Sequence, residues 1–347
     1  MVVSTIVRGV ALIFLVATLG LSACATTGAG RRSWTHYKLG TVDIYSGAPK
    51  RRTEQLVYDF ARYRVVVKTL SASTSVEPRV PTSIFIFPDH HSYQRHSNVP
   101  RSAGLFVRSD EWFTLALDGS RGSSAGQEVL FHEYAHLIVD NVAGLTFPDW
   151  YHEGMAEFMA TIRFTGGEVR LGEVSERNHA AVGAYNRWVP LAELMQGNFQ
   201  SVGDPERLHR YYAQSWLLAH YLQMSDRADT SQLPDYLQLV HDGGDPVASV
   251  HQAFGVTTLQ LEKELREYVR QAQFAYQLLP QSEFDFSGLE QPSMDPLTPG
   301  VSALKLAVLC TRLHNFERAR ILADAAEAAG ENGPELDMVR AALAQAR

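Results

Sequence analysis

From residue 35 onward, the spacing of apolar positions changes period along the chain. Residues 37–46, "YKLGTVDIYS", and 82–88, "TSIFIFP", carry β-branched and aromatic residues in alternation or in an unbroken run, which predicts strands. Between them, "RRTEQLVYDFARYRVVVKTL" (51–70) spaces its apolar residues three and four apart, the signature of one buried helix face. Residues 103–119, "AGLFVRSDEWFTLALDG", read as two short strands about a polar turn. After the serine and glycine cluster "GSRGSSAG", the period is helical from Gln127 to about Ala275. The pattern predicts an α+β chain, with a small mixed-sheet lobe over 35–125 and a mainly helical lobe over 126–277.

The stretch 278–300 holds four prolines, two glycines and no sustained period, and is expected to be a linker. Beyond it, 301–347 gives three short helical runs broken at "LHNF" and "GENGPE". The first two runs resemble one tetratricopeptide unit, which implies a C-terminal helical appendage: a cap, or a surface for a protein partner. A plain helical hairpin fits the same spacing.

The N-terminus changes the picture. Arg8 precedes the apolar run "GVALIFLVATLG" and then "LSAC", ending at Cys24. The run is too short for a confident membrane span and reads as a targeting segment. "LSAC" resembles the bacterial lipobox, which implies a signal peptide over 1–23 and a lipidated Cys24 at the mature N-terminus, followed by a tether over 24–34. Ala25, where an inner-membrane retention signal places Asp, favours the outer membrane facing the periplasm. Removing residues 1–23 takes away Arg8 alone among charged residues, so the 31 basic residues become 30 against 38 acidic. That balance argues against a protein built to hold nucleic acid. Cys310 is then the single remaining cysteine, which excludes an internal disulfide.

Candidate chemistry centres on "FHEYAH" (131–136). Four residues apart on a helix, His132 and His136 share a face and can converge on one ion, while Glu133 sits about 100° round the axis, where it can address a water without being a ligand. The surrounding residues are apolar, so this is a core helix with a polar insert, a placement that asks for a compensating partner. Seventeen positions past His136, Glu153 in "DWYHEGMAEF" supplies a carboxylate on a second helical stretch beyond "TFPD". Two histidines and a carboxylate leave the fourth position of zinc to water, the open arrangement of a catalytic site. His152 is expected near the surface or behind the ligands, and "PDHHSYQRH", with His90, His91 and His96, as a solvated loop.

The run "HEYAHLIVDNVAGLTFPDWYHEGMAEF" resembles the metal-binding core of gluzincin peptidases, the superfamily of thermolysin and the zinc aminopeptidases. The resemblance implies a zincin-type helical lobe and one Zn2+ held by His132, His136 and Glu153. Glu133 would activate a zinc-bound water. It also places Glu157 where thermolysin has a carboxylate against a zinc histidine, and Asn141 where the aminopeptidase branch often has Asn. "YYAQSWLLAHYL" (211–222) resembles the aminopeptidase stretch bearing an oxyanion-stabilising tyrosine; Tyr212 is in register, with Tyr211 and His209 as alternatives. "EWFTLAL" (111–117) matches in position the edge strand along which gluzincins align substrate. The aminopeptidase "GxMEN" segment is absent upstream. The chain is thus expected to be an envelope zinc endopeptidase acting on a protein or peptide, with a silent peptidase-like binding lipoprotein as the alternative.

Overall fold

The computed structural model describes Val3–Ser4 and residues 33–346 apart from 72–74, 76, 100–103, 121–122, 142–146, 226–230, 272–273 and 290–291, so Cys24 and residues 25–32 lie outside the described residues. The chain is of mixed α+β class and divides into two compact units.

The first unit comprises 1–57, 77–126 and 290–347. Strands β1 (Thr35–Leu39) and β2 (Val42–Ser46) form a hairpin. Its turn uses Gly40 at φ +57°, a left-handed backbone that favours glycine. The helix α1 (Lys50–Leu70) starts in this unit and carries the chain into the other. Strands β3 (Thr82–Phe87), β4 (Gly104–Arg108) and β5 (Phe113–Asp118) follow, with helix α2 (His90–Ser97) between the first two.

The six strands run in the order β4-β5-β3-β2-β1-β9, where β9 is Ser293–Pro296; β2, β3 and β5 are mutually parallel and the other pairings antiparallel. Val3–Ser4 pairs in parallel beside Leu105–Phe106. Alternation along the strands places Tyr45, Phe85, Phe87 and Ala116 on one face. That face shares a buried cluster with Leu304, Leu306, Leu309, Leu322 and Val339 from helices α11 (Pro299–Arg312), α12 (Phe316–Ala328) and α13 (Pro334–Gln345). The C-terminal helices therefore complete the core of the sheet instead of forming a separate appendage. Each large side chain sealed there is worth roughly 1.5–3 kcal/mol.

Three further expectations need correction here. The expected linker contains strands at both ends, because β9 pairs with β1, and Gln277–Pro280 pairs in the other unit. The histidine-rich segment is helix α2, started by the Asp89 carboxylate accepting from the Ser92 N–H (2.8 Å). His96 is buried within it, and burial lowers its pKa to about 4. Finally, the strand expected at an edge, β5, is flanked on both sides by β3 and β4. Its backbone groups are engaged in those ladders, so it offers no open edge to an extended peptide.

The second unit comprises 58–76 and 127–289. It contains α3 (Ser123–Asn141) from Gln127 onward and α4 (Asp149–Ala160), then the hairpin β6 (Arg163–Thr165) and β7 (Glu168–Leu171). Helices α5 (Glu176–Gly183), α6 (Leu191–Gln196), α7 (Pro205–Met224), α8 (Gln232–His241), α9 (Pro246–Phe254) and α10 (Thr258–Arg270) follow. Strand β8 (Gln277–Pro280) closes a small antiparallel sheet beside β7. Helices α4 and α7 approach so closely that a Cβ on Gly154 would stand 2.5 Å from the Ser215 carbonyl oxygen. Glycine at that point lets backbone meet backbone.

Candidate metal centre

The site lies wholly in the second unit. Helix α3 is buried nearly all round from Gln127 to Val139, which explains why its apolar residues show no single stripe. The Tyr63 ring stacks on Phe131 at 3.8 Å between centroids, and its hydroxyl donates to the Phe131 carbonyl (2.9 Å), anchoring the turn that carries the motif. Within this apolar helix His132, Glu133 and His136 are 4%, 1% and 6% exposed.

Helix α4 brings Glu153 against both histidines. Nε2 of His132 and Nε2 of His136 are 3.2 Å apart, and each is 3.4 Å from Glu153 Oε2. These edges discriminate between two states. A charge-assisted N–H···O contact closes to about 2.7–2.9 Å. Three ligands of one tetrahedral zinc, each about 2.0–2.1 Å from the ion, stand about 3.3–3.4 Å apart. The two 3.4 Å edges to Glu153 match the second, the 3.2 Å edge between the histidines is within reach of either, and among the described residues Glu153 Oε2 has no hydrogen-bond partner. Among the described residues this is the one cluster of three or more such side chains placed to hold an ion.

The electrostatics follow from the crowding of charge. Burial alone would lower the His132 pKa, but Glu153, Glu157 and Glu133 outweigh it and raise it to about 9. For His136 burial prevails and its pKa is lowered. Burial would raise the Glu153 carboxyl, yet the two facing imidazoles hold it well below its usual range.

Glu157 is one helical turn beyond Glu153 and hence on the same face of α4. Its Oε1 is 3.6 Å from His132 Nδ1, so the two carboxylates face the two nitrogens of a single imidazole. Arg177 donates to Glu157 Oε1 (2.5 Å) and the Asn178 amide to Oε2 (2.9 Å). Burial pushes the Glu157 pKa up, but Arg177, His132 and Asn178 bring it below the ordinary carboxylate value. Nothing in the spacing of the sequence pointed to Arg177 or Asn178, which come from α5.

Helix α7 contributes Tyr212, whose ring centroid is 6.4 Å from that of His132. Burial, then the charges of Glu153, Glu133 and Glu157, push its pKa far above the usual value, so it remains a phenol with a proton to donate. Tyr211 is directed elsewhere: its hydroxyl donates to Glu193 Oε1 (2.5 Å). His209 is half-buried, its pKa lowered by burial and then by Arg177. His152 lies flat against His136, with ring centroids 4.6 Å apart and planes 9° apart. The side chain of Asn141 lies outside the described residues.

No protein-family model matches the chain, and no curated protein does.

Proposed function

We propose that the protein is a zinc-dependent peptidase, and by the absence of an amino-terminus-gripping segment an endopeptidase, lipid-anchored at Cys24 in the bacterial envelope. The observation that supports the reading is the triangle of His132, His136 and Glu153, whose two edges to Glu153 are longer than charge-assisted hydrogen bonds and match the spacing of ligands around one zinc. Three protein ligands are the complement of a catalytic zinc, where structural sites usually have four. Zinc would supply a Lewis acid that polarises the scissile carbonyl and acidifies a water.

The remaining work falls to the chain. Glu133, next to the first ligand on α3 and buried with it, takes a proton from the attacking water and returns it to the leaving amine. Tyr212, kept as a phenol by its surroundings, donates to the oxyanion as it develops. Glu157 faces the far nitrogen of His132 and favours the tautomer whose Nε2 carries the lone pair. The anchor rests on "LSAC"; among the described residues no helix is long and apolar enough to cross a membrane.

The test is a paired measurement on protein starting after Cys24 and purified without chelators. Wild type is expected to carry about one zinc per chain and to cleave unfolded casein. Glu133→Gln is expected to keep the metal and lose about 10²–10⁴-fold in rate. Equal cleavage by the two proteins, or a wild type without zinc, refutes the reading.

A further inference from the structure

Glu157 is held by more than its ligand histidine requires. Both its oxygens are taken up by one short stretch, the first turn of α5, through Arg177 and Asn178. That turn is itself fixed, since Ser175 Oγ accepts from the Asn178 N–H (3.1 Å) as the helix cap. Asn178 is fully buried, its Nδ2 donates to Glu157, and its Oδ1 has no hydrogen-bond partner among the described residues. A buried acceptor left without a partner is destabilising, so the amide is not there to pack the core. Glu157 is sealed while Arg177 is 35% exposed, so the pair ties a buried carboxylate oxygen to a side chain at the edge of the site. The arrangement makes sense as orientation of Glu157.

Resting on the zinc reading above, we propose that the first turn of α5 positions the metal site: Arg177 and Asn178 lock Glu157 against His132 Nδ1, and thereby set the affinity of His132, His136 and Glu153 for zinc. The imidazole lies between two carboxylates of one helix, with Oε2 of Glu153 at 3.4 Å on one side and Oε1 of Glu157 at 3.6 Å on the other. A movement of about 0.7 Å closes the latter to a hydrogen bond, and only a carboxylate that cannot rotate away delivers the orientation. Arg177 and Asn178 are positioning residues; neither is placed here as a ligand or as a group touching substrate.

The experiment measures zinc dissociation constants by chelator competition on detergent-solubilised full-length protein, together with the visible spectrum of the Co2+ form and the melting temperature of the metal-free form. Asn178→Leu leaves every charge in place. It is expected to weaken zinc by about 10–100-fold and to alter the Co2+ spectrum; the metal-free melting temperature falls as well, because Glu157 Oε2 loses its donor, so affinity and spectrum are the deciding readouts. Arg177→Met is expected to weaken zinc comparably, and Arg177→Lys to recover most of the loss. A merely structural role would lower the melting temperature and leave affinity and spectrum alone, and wild-type affinity in Asn178→Leu overturns the proposal. Should Arg177→Met fail to fold, Asn178→Leu decides alone. A wild-type chain that binds no zinc overturns the zinc reading and this proposal with it, a result distinct from tight binding that the variants do not change.

Discussion

The crowding of carboxylates around His132 makes zinc affinity depend on pH with a definite sign. In the metal-free protein its pKa stands at about 9, against 6.5 for an ordinary histidine, because Glu153, Glu157 and Glu133 outweigh burial. A raised histidine pKa stabilises the metal-free fold fully below 6.5, and that stabilisation is lost as pH climbs through 9. At 1.36 kcal/mol per unit the difference is of the order of 3 kcal/mol. Zinc needs the lone pair on Nε2, so below pH 9 it must displace a proton, whereas His136, with its lowered pKa, adds no such demand near neutrality. Affinity is therefore expected to tighten by up to about tenfold per pH unit, or about 75-fold from pH 6.5 to 8.5. Competition against a chelator of known protonation measures the slope, and calorimetry in two buffers of different ionisation enthalpy counts the proton released. A flat affinity over that range would refute the argument, since it would mean that His132 is already neutral and that the carboxylates do not act on it as their distances imply.

Other outcomes follow from the same geometry. Tyr212→Phe is expected to keep zinc and lose about 10²–10³-fold in kcat, the usual consequence of removing one oxyanion donor, while Tyr211→Phe, which breaks only the bond to Glu193, leaves kcat within a few-fold. Gly154→Ala forces a Cβ to within 2.5 Å of the Ser215 carbonyl; a loss of about 1–3 kcal/mol is expected, measurable by denaturant unfolding, and an unchanged midpoint would contradict the close approach of α4 and α7. Cys24→Ala is expected to move the protein from the membrane fraction to the soluble one, in keeping with the acylation that "LSAC" implies.

Local order was legible where the pattern is local. Helix α1, strand β3 and the antiparallel pair β4 and β5 follow from apolar spacing over a few residues. Strands β8 and β9 are short, exposed and proline-bearing, and exist only because distant strands β7 and β1 receive them. The β6–β7 hairpin was hidden by the helical run around it, although Gly166 and Gly167, both at positive φ, form the turn. The segment of α2 reads as a solvated loop because its residues are nearly all polar, yet the Asp89 cap starts a helix there. In the site, helical spacing pointed to His132, Glu133 and His136 directly, Glu153 came from a second helical stretch, and Glu157 came only from the resemblance to the gluzincin core. Arg177 and Asn178 approach from a turn about twenty residues further on, after a hairpin, and no periodicity links them to Glu157.

The contact between Gly154 and Ser215 limits how this site can diverge. Where main chain rests on main chain, the gap between the helix bearing Glu153 and the helix bearing Tyr212 no longer depends on the size of any side chain. Residues around that pair can be exchanged while the two helices stay put. More room between Glu153 and Tyr212 cannot be obtained by parting the helices, and must come from the segments that enter and leave their ends.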